Sequence, residues 1–262
     1  MLLNQKVPLS VMILTKNEEK NIDECLQSVS WAKDIIVLDD ESTDKTKDIT
    51  LRYTDRFVHR KMDIEGRHRN YGYALAQEEW ILSLDADERV SPELASELKK
   101  IISDSSNPHN GFAIPRKNYI GPYWIRHGGW YPSAQLKFFR KNNFQYREDE
   151  VHPLAQLKGS WGVLKGDIIH YSYKDFGDFI SKLNNQSTRE AQKWIRTGRE
   201  MKFYVALWRT VDRFFRSYLL KKGYKDGFIG LMMAIFASLY QILSYAKYWE
   251  MKKNANSFYQ NR

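Results

Sequence analysis

Short apolar runs, each meeting acidic or polar residues at its end, set the pattern of the first half of the chain. Leu9-Ser10-Val11-Met12-Ile13-Leu14 runs into Thr15-Lys16-Asn17-Glu18-Glu19. Ile35-Ile36-Val37-Leu38 runs into Asp39-Asp40-Glu41-Ser42-Thr43-Asp44. Ile81-Leu82-Ser83-Leu84 runs into Asp85-Ala86-Asp87-Glu88. Runs of this length with polar boundaries predict buried strands. Arg56-Phe57-Val58-His59-Arg60 predicts a shorter one. Between these runs the apolar residues change to helical spacing. Ile22, Cys25, Leu26 and Val29 share one helical face, with Asn21 and Glu24 placed as a capping box. Good helix formers over residues 71–79 predict a second helix after Gly66-Arg67-His68-Arg69-Asn70. Ser91-Pro92-Glu93 predicts another: a hydroxyl cap, proline in the first turn, then an acid. Strands alternating with helices imply a mostly parallel sheet covered by helices on both faces.

The pattern loosens after residue 110. Residues 111–116 and 135–140 predict two more strands. Between them lies an aromatic, glycine-punctuated stretch, Ile125-Arg126-His127-Gly128-Gly129-Trp130-Tyr131-Pro132. Its aromatic faces suit sugar rings, or ordinary packing in a loop-rich region. Asp175 can cap a helix carrying Phe176, Phe179, Ile180 and Leu183 toward Gly198. From Arg199 onward, basic residues (Lys202, Arg209, Arg213, Arg216) interleave with Phe203, Tyr204, Leu207, Trp208 and Phe215. That pattern suits a helix lying in the headgroup region of an anionic membrane. Residues 228–246 carry no charge and, at about 19 residues, reach the length that can span a bilayer. Basic residues at both ends and the lack of a second such segment favour surface or shallow insertion. The expected organisation is a main domain over residues 1–198, divided near residue 105 into halves of about 1–105 and 106–198, and a basic aromatic helical extension over 199–262.

The chain has 262 residues, enough for one sizeable domain with an appendage. Its formal charge of +9 suits phosphorylated substrates, anionic membranes or nucleic acid without choosing among them. A single cysteine, Cys25, excludes an intramolecular disulfide framework, and its helical position makes it a packing residue. No secretory signal pattern is visible at the start.

The chemistry sits at the strand ends, where open α/β sheets place their ligands. Asp85 and Asp87 lie together there, and two such carboxylates call for a cation. Hard oxygens of this kind suit Mg²⁺ or Mn²⁺ shared with a diphosphate. No G-x-G-x-x-G follows the first strand and no phosphate-binding P-loop occurs, which counts against dinucleotide oxidoreductases and P-loop NTPases. Ser42-Thr43-Asp44 can cap the following helix or meet a ligand. Arg147-Glu148-Asp149-Glu150-Val151-His152-Pro153 forms a second acidic cluster beyond the aromatic stretch.

Four ordered stretches, Ser10 through Glu19, Leu38 through Asp44, Arg69-Asn70 and Leu84-Asp85-Ala86-Asp87, resemble the motifs of family 2 glycosyltransferases. The resemblance implies the GT-A fold of nucleotide-diphospho-sugar transferases and inverting transfer of a sugar from a nucleotide-sugar donor, by default a UDP-sugar. It implies that Thr15 and Glu18 line the nucleoside pocket and that Asp39 or Asp40 accepts a hydrogen bond from the base. Arg69 would approach the diphosphate or ribose, and Asp85 and Asp87 would hold Mg²⁺ or Mn²⁺. The general base would come from the second acidic cluster: Asp149 or Glu150 is favoured, Glu148 less so, with His152 orienting it. Pro153 stands where relatives often carry a further glutamate. The His127-to-Pro132 loop and Lys165-Gly166-Asp167 with His170-Tyr171-Ser172-Tyr173 are similar to bacterial lipopolysaccharide core β-glucosyltransferases. This implies transfer of a hexose such as glucose to a lipid-linked saccharide, the lipopolysaccharide inner core, at the cytoplasmic face of the inner membrane. His170 reads as a structural residue rather than a metal ligand. A polyprenyl phosphate or another polysaccharide precursor is the alternative acceptor. A non-enzymatic nucleic-acid or anionic-lipid binding protein is the reading of another class; the strand-end carboxylates count against nucleic acid.

Overall fold

The computed structural model describes residues 6–148 and 154–260, with side chains through residue 254. The elements follow in chain order: β1 (Val7–Thr15), α1 (Ile22–Ser28), β2 (Ala32–Asp39), α2 (Thr46–Thr50), β3 (Phe57–His59), α3 (Glu65–Ala74) and β4 (Trp80–Asp85). Then come β5 (Glu88–Val90), α4 (Pro92–Ser103), β6 (His109–Ile114), β7 (Arg116–Ile120), β8 (Tyr123–Trp124) and β9 (Gln135–Arg140). The chain continues through β10 (Phe144–Tyr146), β11 (Ala155–Leu157), β12 (Ser160–Val163) and β13 (Ile168–Tyr173). It closes with α5 (Phe176–Arg196), α6 (Phe203–Phe215) and α7 (Gly227–Gln260). Contacts divide it into two compact units: Met1–Lys117 with Ser133–His170, and Asn118–Pro132 with Tyr171–Arg262.

The first unit is built on a seven-stranded sheet in the order β12-β6-β9-β4-β1-β2-β3. Every pairing is parallel except those of β9, which runs against both neighbours. Helices cover both faces, so the central strands are apolar on both sides and alternation shows in direction, not polarity. Leu9, Val11, Ile13, Val37, Leu82 and Leu84 pack into one core with Ile22, Leu26, Leu94 and Leu98 from α1 and α4. Met12, Ile36, Leu38, Ile81 and Phe139 face the opposite way, onto Tyr73 of α3. The period of two therefore sorts one continuous apolar run onto two helical layers.

Local signals held unevenly. Ser91 caps α4 by accepting from the Leu94 N–H at 3.1 Å, with Pro92 as the first helical residue. Asp175 caps α5 by accepting from the Asp178 N–H at 2.8 Å. The capping box expected at Asn21 is not formed. The Asn21 amide donates instead to the Glu18 carboxylate at 2.7 Å, which ties down the loop ahead of α1. Helix α3 begins at Glu65, well before the stretch expected from its alanines. That shift places Arg69 on a helix and one turn from Glu65. Ser42 and Asp44 are engaged by the neighbouring loop: the Asn17 N–H donates to Ser42 Oγ at 2.8 Å and the Glu19 N–H to Asp44 at 3.0 Å. Their work is to join the turns after β1 and β2.

In the second unit, α7 packs against both α5 and α6. Ile120, Ile125, Phe179, Leu183 and Met233 form one core, and Ala191, Trp194, Met201 and Tyr248 another. Asp226 anchors the aromatic glycine-rich loop by accepting from the Arg126 and His127 N–H groups and pairing with the His127 ring at 2.6 Å.

Gly166 in the first unit has no room for a side chain: a Cβ there would lie 2.4 Å from the Leu94 backbone. Glu97 holds the same turn by accepting the Gly166 N–H at 2.9 Å. Gly166→Ala should therefore destabilise the protein by roughly 1–3 kcal/mol, read as a lower urea midpoint. An unchanged midpoint would mean that this turn is free to move off α4.

Candidate active site

The ends of β1, β2 and β4 converge on a cavity of about 270 Å³ lined by Thr15, Lys16, Glu18, Asp40, Glu65, His68, Arg69, Asp85 and Asp87. Parallel pairing in register makes this happen: Thr15 sits opposite Asp39, and Leu14 opposite Asp85. Side chains far apart in sequence thus leave the sheet at one level. Of the residues singled out from sequence, Thr15, Glu18, Asp40, Arg69, Asp85 and Asp87 line this cavity. Asp39, beside Thr15 in the sheet, is not in the lining; it accepts from the Ser42 N–H at 3.0 Å and pairs with His59 at 3.1 Å. Its Oδ1 and the Thr15 hydroxyl are buried without a hydrogen-bond partner among the described residues. Asp149, Glu150 and His152 lie outside the described residues. Glu148, the last residue before them, is held by Arg67 at 2.9 Å.

The two aspartates after β4 live in different electrostatic surroundings. One oxygen of Asp85 takes Arg69 at 3.0 Å and the other takes Lys137 at 3.0 Å. Lys137, on β9 and only 4% exposed, also pairs closely with the fully buried Glu88. Glu88 accepts the Asp85 N–H at 3.0 Å and has Arg116 at 3.5 Å. Three cations and two carboxylates therefore form one linked group beneath the cavity. Burial alone would raise the Asp85 pKa, but Lys137 and Arg69 outweigh it and hold the carboxyl well below the usual carboxylate range. Burial works likewise against the Lys137 ammonium, and Asp85 and Glu88 more than offset it, so its pKa rises. Both groups stay charged at neutral pH.

Asp87 is placed otherwise. Its Oδ2 lies 3.5 Å from His170 Nε2, brought alongside where β13 pairs with β5. Its Oδ1 is buried and without a partner among the described residues. Such an oxygen is costly unless something outside the chain satisfies it. Among the described residues no three His, Cys, Asp or Glu side chains form a ready metal cluster. The donors present, a carboxylate oxygen and an imidazole nitrogen, are nonetheless of the type that takes a divalent cation.

Sequence reasoning passed over Lys137, Glu88, Arg116 and Lys16. Lys16 caps the cavity edge by pairing with Asp40 at 2.8 Å, while Asp40 also accepts the Met62 N–H at 2.8 Å. Lys137 carried a usable signal: a lysine inside the apolar strand Gln135–Arg140 must be paired if buried. The backbone also has two non-glycine residues at positive φ here, Asn17 (55°) and Glu41 (56°), in the turns after β1 and β2. Positive φ at a glutamate costs free energy, and such strain gathers at functional sites. Cys25 is buried, and burial pushes its thiol up, so it supplies no thiolate.

The Asp85 ion pairs predict an acid response. A carboxyl with a lowered folded pKa contributes stability above its unfolded pKa of about 4, and loses it progressively below that pH. Asp85→Asn should be less stable than the wild type at pH 7, and the gap should narrow as pH falls from 4 to 2. Parallel curves in urea titrations across that range would remove the depressed pKa.

The family model for glycosyl transferase family 2 matches residues 10–156. Over 252 residues the chain is 24% identical to the lipopolysaccharide core biosynthesis glycosyltransferase LpsC of Rhizobium meliloti, covering 94% of this chain and 93% of that protein. Among solved structures it resembles S. aureus TarS 1–349 at 16% identity, 98% and 92% coverage and a TM-score of 0.45. It also resembles Mycobacterium tuberculosis glucosyl-3-phosphoglycerate synthase, solved with Mn²⁺ and UDP-glucose, at 18% identity, 43% and 44% coverage and a TM-score of 0.36. The family match spans more than half of the chain and takes in all four of the ordered stretches, so the protein belongs to glycosyl transferase family 2.

Proposed function

We propose that the protein is an inverting hexosyltransferase that moves a sugar from a nucleotide-sugar donor, by default a UDP-sugar, to a lipid-linked saccharide of the lipopolysaccharide core. The observation that supports it most is the meeting of Thr15, Glu18, Asp40, Arg69, Asp85 and Asp87 in one strand-end cavity. Similarity to a lipopolysaccharide core glycosyltransferase over nearly the whole length supports the acceptor class.

The unpaired oxygens distribute the roles. Thr15 Oγ1 and Asp39 Oδ1 are buried acceptors awaiting a donor, and the N–H and hydroxyl groups of a nucleoside would supply one. Arg69 lines the cavity while its charge is shared with Asp85, and it would meet the diphosphate. Asp87, with His170 beside it, would hold Mg²⁺ or Mn²⁺; Asp85, already holding two cations, would contribute less. Bound there, a divalent cation would neutralise charge on the departing diphosphate. The acceptor hydroxyl oxygen forms a bond to the anomeric carbon as the bond to the diphosphate breaks. Its proton passes to a carboxylate, for which Asp149 or Glu150 is the candidate.

The second unit supports work at a membrane surface. Phe203, Tyr204, Leu207, Trp208, Val211 and Phe215 are all exposed on α6, most of them one or two turns apart. A stripe of large apolar side chains turned outward on one face, with basic residues elsewhere on the same helix, matches a helix lying in a lipid interface. Helix α7 is the one described helix long and apolar enough to cross a bilayer, with a third of its most apolar window buried. We read it as lying at or shallowly within the cytoplasmic face of the inner membrane.

Two experiments follow. Asp87→Ala should lower sugar transfer by about 10²-fold or more while the melting temperature holds. It should also abolish Mn²⁺ binding by calorimetry; full activity would sink the assignment. Leu207→Glu combined with Trp208→Glu should stop the protein floating with phosphatidylglycerol vesicles, and retained flotation would remove α6 as the docking element.

A further inference from the structure

A second cavity of about 270 Å³ lies inside the C-terminal unit. Trp130, Phe179, Leu183, Met233 and Phe236 supply most of its lining, and Gln186, Arg213, Tyr240 and Gln241 supply polar groups. Tyr240 and Gln241 stand in the charge-free stretch of α7, where Tyr240 packs against the core of Phe179, Leu183 and Met233.

Two arginines of α6 lie near these polar groups: Arg213 in the lining, and Arg209, which acts on Tyr240. Arg213 forms no ion pair among the described residues. One turn earlier on α6, Arg209 has its Nη1 buried without a hydrogen-bond acceptor among the described residues. Both guanidiniums act on Tyr240: burial and Glu190 lift its phenol above the ordinary pKa, and Arg209 and Arg213 oppose them. A buried guanidinium N–H with no acceptor is costly, so the arrangement suits an anion from outside the chain. Two guanidiniums a turn apart are the usual partners of a phosphate group. The adjoining chamber of aromatic and methionine side chains suits hydrocarbon, and its size is near the lower limit of about 300 Å³ for ligand pockets. One acyl chain fits this description better than a saccharide, which would leave its hydroxyls against Leu183, Met233 and Phe236.

We propose that this cavity binds one anionic phospholipid, its phosphate on Arg209 and Arg213 and one acyl chain between α5 and α7. The inference deepens the membrane-surface reading and rests on it for the source of the lipid. It turns a general attraction between α6 and an anionic surface into a site with a stoichiometry. A lipid seated there would join α5, α6 and α7 and stabilise the unit only when it is on a membrane.

The test uses the full chain and a soluble lipid, so that it does not depend on docking. Calorimetric titration with dihexanoyl phosphatidylglycerol, kept below its micelle concentration, should give saturable one-to-one binding. Dihexanoyl phosphatidylcholine should bind at least tenfold more weakly. Ala237→Phe, which fills the chamber, and Arg213→Glu, which reverses the charge, should each weaken phosphatidylglycerol binding at least tenfold, with circular dichroism confirming the fold. Should Ala237→Phe misfold, the surface substitution Arg213→Glu decides alone. Absence of saturable binding, or binding indifferent to Arg213→Glu, overturns the proposal. Displacement by inorganic phosphate at equal concentration also overturns it, since that describes a free-anion site. Vesicle flotation separates the two readings: a protein that floats yet takes no soluble lipid loses the cavity alone. One that takes the lipid yet does not float keeps the cavity and loses the docking face.

Discussion

The ion pairs that hold Asp85 between Arg69 and Lys137 are the constraint on which the strand-end site depends. A carboxylate after β4 has no stable place at the edge of an apolar core by itself. Two cations from different elements, α3 and β9, settle it. Glu88 then balances Lys137 from beneath, and Arg116 balances Glu88. Each charge is tolerable only because the next is present, so the group behaves as a unit. Its consequence is positional: Arg69 is fixed at the wall of the cavity, and Asp87, two residues on, is left with an oxygen that nothing in the described chain uses.

This arrangement divides labour between two aspartates that look alike in sequence. Asp85 is spent on the architecture of the site, and Asp87 keeps a buried oxygen without a partner among the described residues. The same contrast runs through the β1 and β2 ends, where Asp40 is satisfied by Lys16 and Met62 while Thr15 and Asp39 keep buried acceptors without partners. Polar atoms left unsatisfied inside an otherwise well-paired site mark where a ligand completes the hydrogen bonding. In the proposed function that ligand would be the nucleotide-sugar donor.

The second unit answers a different physical problem. Its helices bury one another through α7, yet α6 turns the large apolar side chains of Phe203, Leu207, Trp208 and Phe215 outward. Water alone does not stabilise such a face. In the proposed reading an anionic lipid surface would cover that face and would place the chain where a lipid-linked acceptor is found.

The apolar runs, their spacing and the acids at their ends determined the mostly parallel α/β sheet and put Asp40, Asp85 and Asp87 at strand ends, because strand burial and strand-end exposure are local consequences of hydrophobic pattern; Thr15, Glu18 and Arg69 were legible only through the family motifs that they belong to. Ser91 and Asp175 were legible as helix caps for the same reason: a cap acts within its own turn. The capping box at Asn21 was not, because a loop carboxylate, Glu18, competed for the amide. The early start of α3 was hidden by Gly66 and the charged residues beside it, whose placement is decided by contacts with other elements. Which aspartate is neutralised and which is open could not be read from the chain at all. That depends on Lys137, 52 residues beyond Asp85, arriving on the one antiparallel strand of the sheet, and on His170 arriving on β13. Pairing between distant strands sets both, and long-range charge pairing is a property that only tertiary structure decides.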